Sequence, residues 1–231
     1  MKFFKIDLKR AFSEPTFFLS LVLGMISLFG AAAYLLVSGS YPQGLYASAQ
    51  SLVLPFAAPL LAAMPYSAMI MQERETRYRI MITIKMRKSG FEFRRLAVCG
   101  ISGAAALFIP QIVLFIACAV MGEIPDLGRA AAELVLPVTF GFGYAAFSYG
   151  LTFVNTQRYV PMVMPQVLYL LCVYAFPHIK LERFYPPLDI SPAIYGGEIT
   201  ADRFAVPAVL TAAAIVLTAY GSLRREALDR I

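Results

Sequence analysis

Gly100-Ile101-Ser102-Gly103 has the G-x-S-G form of a serine nucleophile, and His178 is the chain's one histidine. Acyl transfer by such a pair needs hydroxyl and imidazole within hydrogen-bond reach. Their places in the hydropathy pattern argue against it. Ser102 lies near one end of a membrane-length apolar run and His178 at the far edge of another. Most of a ~30 Å hydrocarbon layer would separate them. Small residues at 100, 102 and 103 read instead as contacts that let helices approach closely, and His178 as an interfacial residue. Glu73 and Glu75 beside Arg74 and Arg77 suggest a glutamate-based membrane protease, but no second His-containing motif completes one. A single histidine also fails the multi-ligand needs of membrane metalloproteases and haem carriers. Cys99, Cys118 and Cys172 share no CxxC spacing and fall inside apolar runs, where they read as small packing residues. No G-x-x-x-x-G-K-[ST] run is present, so any ATP-driven function requires another subunit to bind the nucleotide.

Polar and small residues do form stripes. Gly141, Tyr144, Ser148, Thr152 and Asn155 recur at intervals of three and four and share one helical face. Ser20, Gly24, Ser27 and Ala31 do the same nearer the N-terminus. Such a face either packs helices together by close approach and hydrogen bonding or lines a substrate path.

The elements carrying these residues follow from where charge is missing. Of 231 residues, 59% are hydrophobic, and residues 17–71 contain no Asp, Glu, Lys or Arg. Further uncharged runs cover 96–122, 134–157, 159–179 and 204–223. At about 20 residues per crossing the first run holds two spans and the others one each. The reading is a single all-α transmembrane domain over residues 1–231, with six spans near 17–37, 50–71, 96–121, 134–154, 160–176 and 204–223. Pro55, Pro59 and Pro65 kink the second span and place it inside the bundle, where neighbours satisfy the freed carbonyls. No Asp, Glu, Lys, Arg or His falls within the six spans, which argues against a proton or ion antiporter.

Ahead of the first span, Phe4, Leu8, Ala11 and Phe12 line one face of a helix whose remaining surface carries Lys2, Lys5, Lys9 and Arg10. This is the pattern of an interfacial amphipathic helix. Ser13, Glu14 and Pro15 mark a break and restart. The N-terminus lacks the apolar core and cleavage site of a signal peptide, so the first span is expected to remain in the mature chain. Residues 38–49 read as an uncharged outer loop, and residues 72–95 as the longest cytoplasmic loop. Ser89 and Glu92 have capping-box spacing at the start of an extension to the third span. Residues 177–203, rich in Pro and Gly, read as short outer helices and turns before the last span.

Sixteen of the twenty basic residues fall on the side that holds the N-terminus, residues 72–95, Arg158 and the C-terminal tail. The positive-inside rule then puts both termini in the cytoplasm of a multi-pass plasma-membrane protein. The same asymmetry accounts for the net charge of +6 without a nucleic-acid partner.

This layout resembles the membrane subunit of a type-2 ABC exporter. The loop carries the more specific likeness. Gln72-Glu73-Arg74-Glu75-Thr76-Arg77-Tyr78, followed by Arg87-Lys88-Ser89-Gly90-Phe91-Glu92-Phe93-Arg94-Arg95, is similar to the acidic coupling segment of that family. Ser191-Pro192-Ala193-Ile194-Tyr195 resembles a Pro-x-x-Tyr element before the final span. The family often has Gly-Thr after the acidic pair, whereas here Thr76 follows Glu75 directly, which shifts the register of any coupling helix. The resemblance implies an ABC permease rather than an enzyme. Two copies, alike or paired with a second permease, would form the pathway, and two ABC ATPase subunits would hold ATP and Mg. No cofactor would be bound by this chain itself. It also implies that Glu73, Arg74, Glu75, Arg77, Tyr78 and Met81 couple to the ATPase. The loop's own composition fits docking, because Tyr78, Ile80, Met81, Ile82, Ile84 and Met86 put apolar area among the charges. It equally fits a solvated surface facing lipid headgroups. A hydrophobic or amphipathic cargo suits the uncharged spans, a peptide or toxin being favoured. A non-transport membrane scaffold is the main alternative, and an intramembrane enzyme a weaker one.

Overall fold

The computed structural model describes residues 2–75, 88–124, 126–155, 157, 159–191 and 199–228. Among them the chain is helical throughout, without strands. The helices are α1 (Lys2–Ser13), α2 (Pro15–Ser38), α3 (Leu45–Leu52), α4 (Leu54–Glu75), α5 (Lys88–Met121), α6 (Leu127–Glu133), α7 (Val135–Leu151), α8 (Val160–His178) and α9 (Ala205–Leu228). Among the described residues between α8 and α9 are the 3₁₀ turns Glu182–Phe184, Pro186–Asp189 and Ala201–Phe204. Among the described residues five helical stretches are long and apolar enough to cross a membrane, and there are six if α3 and the first part of α4, bent against each other, count as one span. The protein is therefore an all-α, multi-pass membrane protein.

Its surface is built for lipid. On α2, Phe18, Val22 and Ile26 are exposed at i, i+4 spacing, Ile26 at 63%, while Phe17, Ser20, Gly24, Leu28 and Ala31 turn inward. An apolar outer face would be unfavourable in water and suits hydrocarbon.

The second crossing departs from the sequence reading. Residues 45–49, which read as the end of an outer loop, are helical, and α3 meets Leu54–Tyr66 of α4 at a 69° bend around Val53. Pro55 then sits in the first turn of α4, where its missing N–H costs nothing. The fourth span likewise starts before the 134–154 of its sequence reading, because α6 runs into α7 and the two make one membrane-length stretch from Leu127 to Leu151. The 72–95 loop is also shorter than its sequence suggests, since Gln72 to Glu75 continue α4 and Lys88 to Arg95 begin α5. Ser89 thus falls inside α5 and does not precede it as a cap. With 34 residues at ~1.5 Å each, α5 overruns the ~30 Å hydrocarbon layer by several turns.

The centre of the bundle is α7, which packs against α4, α5, α8 and α9. Close approach to α5 is possible because Gly103 and Gly141 face each other. A methyl at Gly141 would stand 2.7 Å from the Gly103 carbonyl oxygen, and one at Gly103 would stand 2.3 Å from Ala145 Cβ.

Candidate functional site

Apart from the half-buried Ser27 and Asn155, the stripes read from the sequence are buried in helix contacts, and one hydroxyl from each repairs damage done by proline. Pro165 in α8 has no N–H, which leaves the Pro161 carbonyl four residues earlier without its helical donor. The Ser148 hydroxyl on α7 donates to that oxygen at 2.7 Å. Pro65 in α4 orphans the Leu61 carbonyl in the same way, and Ser20 on α2 donates to it at 2.7 Å. Beside Pro59, Gln166 is inserted into a helical bond. Its Nε2 donates to Phe56 O at 2.7 Å and its Oε1 accepts from Leu60 N–H at 3.2 Å. The remaining stripe residues pack. Tyr144 stacks on Phe140 and meets Tyr169 edge-on, Thr152 donates back to Tyr149 O, and Asn155 at the end of the stripe accepts from the Gln157 N–H. Ser102 donates to Cys99 O on its own helix, while His178 is exposed at the end of α8. That geometry offers no nucleophile and base.

The charged residues flanking 76–87 are where the structure adds most. Glu73 on α4 is 5% exposed and pairs with Arg95 on α5, which is 0% exposed. Arg10 of α1 reaches the other Glu73 oxygen at 3.1 Å. One turn before Arg95, Glu92 is also buried and accepts from the Tyr149 hydroxyl of α7 at 2.5 Å. The Arg95 guanidinium lies 4.9 Å from the Phe91 ring and 5.9 Å from that of Tyr66. Asp7, buried on α1, joins the same field. Burial pushes its carboxyl above the ordinary range, Arg95 opposes that rise and Glu73 adds to it. The face of α1 that carries Ala11, Phe4 and Leu8 rests on α5 and α4. So α1 is docked on the bundle as well as amphipathic, and a clamp of opposite charges joins it to the helices on both sides of 76–87.

Of the coupling residues read from sequence, Glu73 is therefore engaged inside the chain. Arg74 and Glu75 lie on the last turn of α4, and Arg77, Tyr78 and Met81 lie outside the described residues. In Ser191-Pro192-Ala193-Ile194-Tyr195 only Ser191 is described, and it is buried. Glu92 and Arg95 read from sequence only as a cap and as part of the charged loop, and Tyr149 and Asp7 escaped the sequence reading. The signal for them was periodic, since Phe91, Glu92, Arg95, Leu96 and Cys99 fall on one helical face and all are buried.

Nothing in this arrangement is a metal centre, since no cluster of three or more His, Cys, Asp or Glu occurs among the described residues. Comparison of the chain with protein-family models, curated proteins and solved structures finds no match.

Proposed function

We propose that this chain is the permease subunit of an ATP-driven exporter of the ABC-2 type, moving a hydrophobic or amphipathic cargo, a peptide or toxin by preference, across the plasma membrane. The observation that supports the reading best is the Arg10–Glu73–Arg95 clamp. A coupling segment has to pass displacement to the spans without slack. Residues 76–87 leave α4 and enter α5 where those helices are cross-linked by a buried ion pair and tied to α1. A buried pair is costly to break, because each half is left as an uncompensated charge. A push on this segment would therefore move α1, α4 and α5 together.

In this reading both termini and residues 76–87 face the cytoplasm, as the charge asymmetry implies. Two permease chains form the path, and two ATPase subunits supply ATP and Mg. Arg77, Tyr78 and Met81 meet the ATPase, with Arg74 and Glu75 at the rim. Central apolar anchors dominate interfaces and rim charges contribute little.

The test is to purify the chain with its candidate ATPase and to measure co-elution, stimulated hydrolysis and transport into vesicles. Tyr78→Ala should lower all three more than Arg77→Ala. Glu75→Lys is the suitable charge reversal, because Glu73→Lys would also break the internal clamp. Wild-type values for Tyr78→Ala and Glu75→Lys together would leave this segment a solvated surface. Failure of any ATPase to co-elute would favour the scaffold reading.

A further inference from the structure

At the end of the bundle remote from Arg95, the chain between α8 and α9 turns inward. Pro186, Pro187, Leu188, Asp189, Ile190 and Ser191 are all buried. Asp189 is 1% exposed, on a 3₁₀ turn packed against α7, α8, α9 and the turn Ala201–Phe204. An ionised carboxylate withdrawn this far from water is strongly unfavourable unless donors or a cation hold it. Among the described residues, neither Asp189 oxygen has a hydrogen-bond partner, nor do the buried hydroxyls of Ser191 and Tyr169 or the buried Nε of Arg203. Arg203 is near enough for its charge to act on Asp189, yet the two form no ion pair. A carboxylate beside a free guanidinium N–H would be drawn into a bond with it. The open arrangement is therefore that of the neutral acid.

We propose that Asp189 is a proton-binding site, protonated in the packing seen here, whose ionisation forms a bond to Arg203 and draws the turn Pro186–Asp189 towards the turn Ala201–Phe204 at the head of α9. The carboxyl O–H bond breaks, its proton passes to solvent, and the guanidinium takes the proton's place as the carboxylate's partner. The other ionisable groups facing Asp189 are few. Among the described residues they are Tyr144 from α7 and Tyr169 from α8, and the neighbouring turn before α9 also carries Asp202. Asp202 is engaged by Arg183 at 2.6 Å, and α9 brings no charged group over its first turns. Burial pushes the Asp189 carboxyl up to about 8, against the pull of Arg203.

The sign of the pH effect follows. The folded acid holds its proton above the pH at which the unfolded one releases it, so stability falls as pH rises from the ordinary value of 3.8 towards about 8. The test compares thermal unfolding of the purified full chain with that of Asp189→Asn from about pH 5 to about pH 10. Wild type should lose melting temperature over this range, and Asp189→Asn should lose less and melt higher than wild type at the alkaline end. If Asp189→Asn does not fold, the infrared carbonyl band of a protonated carboxyl decides. It should be present in wild type at neutral pH, vanish above about 8, and persist to higher pH in Arg203→Gln. Parallel pH profiles for wild type and Asp189→Asn, or no protonated band at neutral pH, would overturn the proposal. So would a rise in wild-type melting temperature with sodium over choline at equal ionic strength, absent in Asp189→Asn, since the occupant would then be a metal cation.

Discussion

If Ser148 is present to satisfy the carbonyl that Pro165 frees, removing the proline should remove the need for the serine. Ser148→Ala deletes the 2.7 Å bond to Pro161 O and leaves a buried acceptor unpaired. An orphaned buried acceptor costs about 1–3 kcal/mol. Interhelical hydrogen bonds in membranes average about 0.6 kcal/mol with a maximum near 1.7. The expected loss is therefore about 1–2 kcal/mol, or roughly five- to thirtyfold in the folded-to-unfolded ratio. Pro165→Ala returns an N–H to the position from which α8 can bond Pro161 O itself. In that background Ser148→Ala should cost only about 0.5 kcal/mol or less, the limit for sites that act independently. The assay is reversible unfolding in mixed micelles, read by far-ultraviolet circular dichroism, for the two single variants and the double. Additive losses in the double variant would refute the reasoning, because Ser148 would then matter for some reason unrelated to the proline.

The clamp and the helix crossing are testable in the same way. Arg95→Met should destabilise, by less than the about 3–5 kcal/mol of a fully orphaned partner because Arg10 still pairs with Glu73, and should open the otherwise buried Ala11→Cys to thiol reagents in a background lacking the native cysteines. Adding Glu73→Gln should recover much of that loss, and unchanged labelling at position 11 in Arg95→Met would mean that α1 is held by its apolar face alone. Gly141→Leu, which places side-chain atoms against the Gly103 backbone, should cost at least the ~1–3 kcal/mol typical of overpacking; wild-type melting would mean that α5 and α7 separate at no cost.

How much of this could be read beforehand depends on what each residue signals. Runs free of charge located the crossings, because ionised groups are excluded from hydrocarbon whatever the fold. The same rule hid the break at Val53. Residues 17–71 are uncharged throughout, so nothing in that measure separates a loop from a helix lying across the bundle. Proline content placed the second crossing inside, and Ser20 and Gln166 show what that position supplies. The charges near 73 and 95 were legible as charges and misjudged as environment. Loop composition suggests solvation, whereas α5 begins at Lys88 and turns Glu92 and Arg95 inward while Arg94 stays outside. Asp189 sits in a Pro-rich segment that reads as surface. Only its inward turn against α7 and α8 makes it a buried acid.

One helix meets both polar regions. Tyr149 of α7 bonds Glu92 in the clamp, and Tyr144, five residues earlier, faces Asp189. The two positions lie about 7.5 Å apart along the axis. Between and around them α7 offers little compliance, since Gly141 and Gly143 rest on the backbones of α5 and α9 at distances that exclude even a methyl group, and Gly150 meets α9 with little room for one. Interiors packed this closely shift as units and do not deform gradually. Any motion that begins at the Glu73–Arg95 end must therefore carry α5, α7 and α9 together, and it reaches the turn Ala201–Phe204 because that turn is continuous with α9. Ionisation of Asp189 acts on the same turn through Arg203. The two ends would thus bias one rigid body, so loss of the clamp in Arg95→Met should shift the pH at which Asp189 titrates, whereas loosely packed helices would leave that titration unchanged.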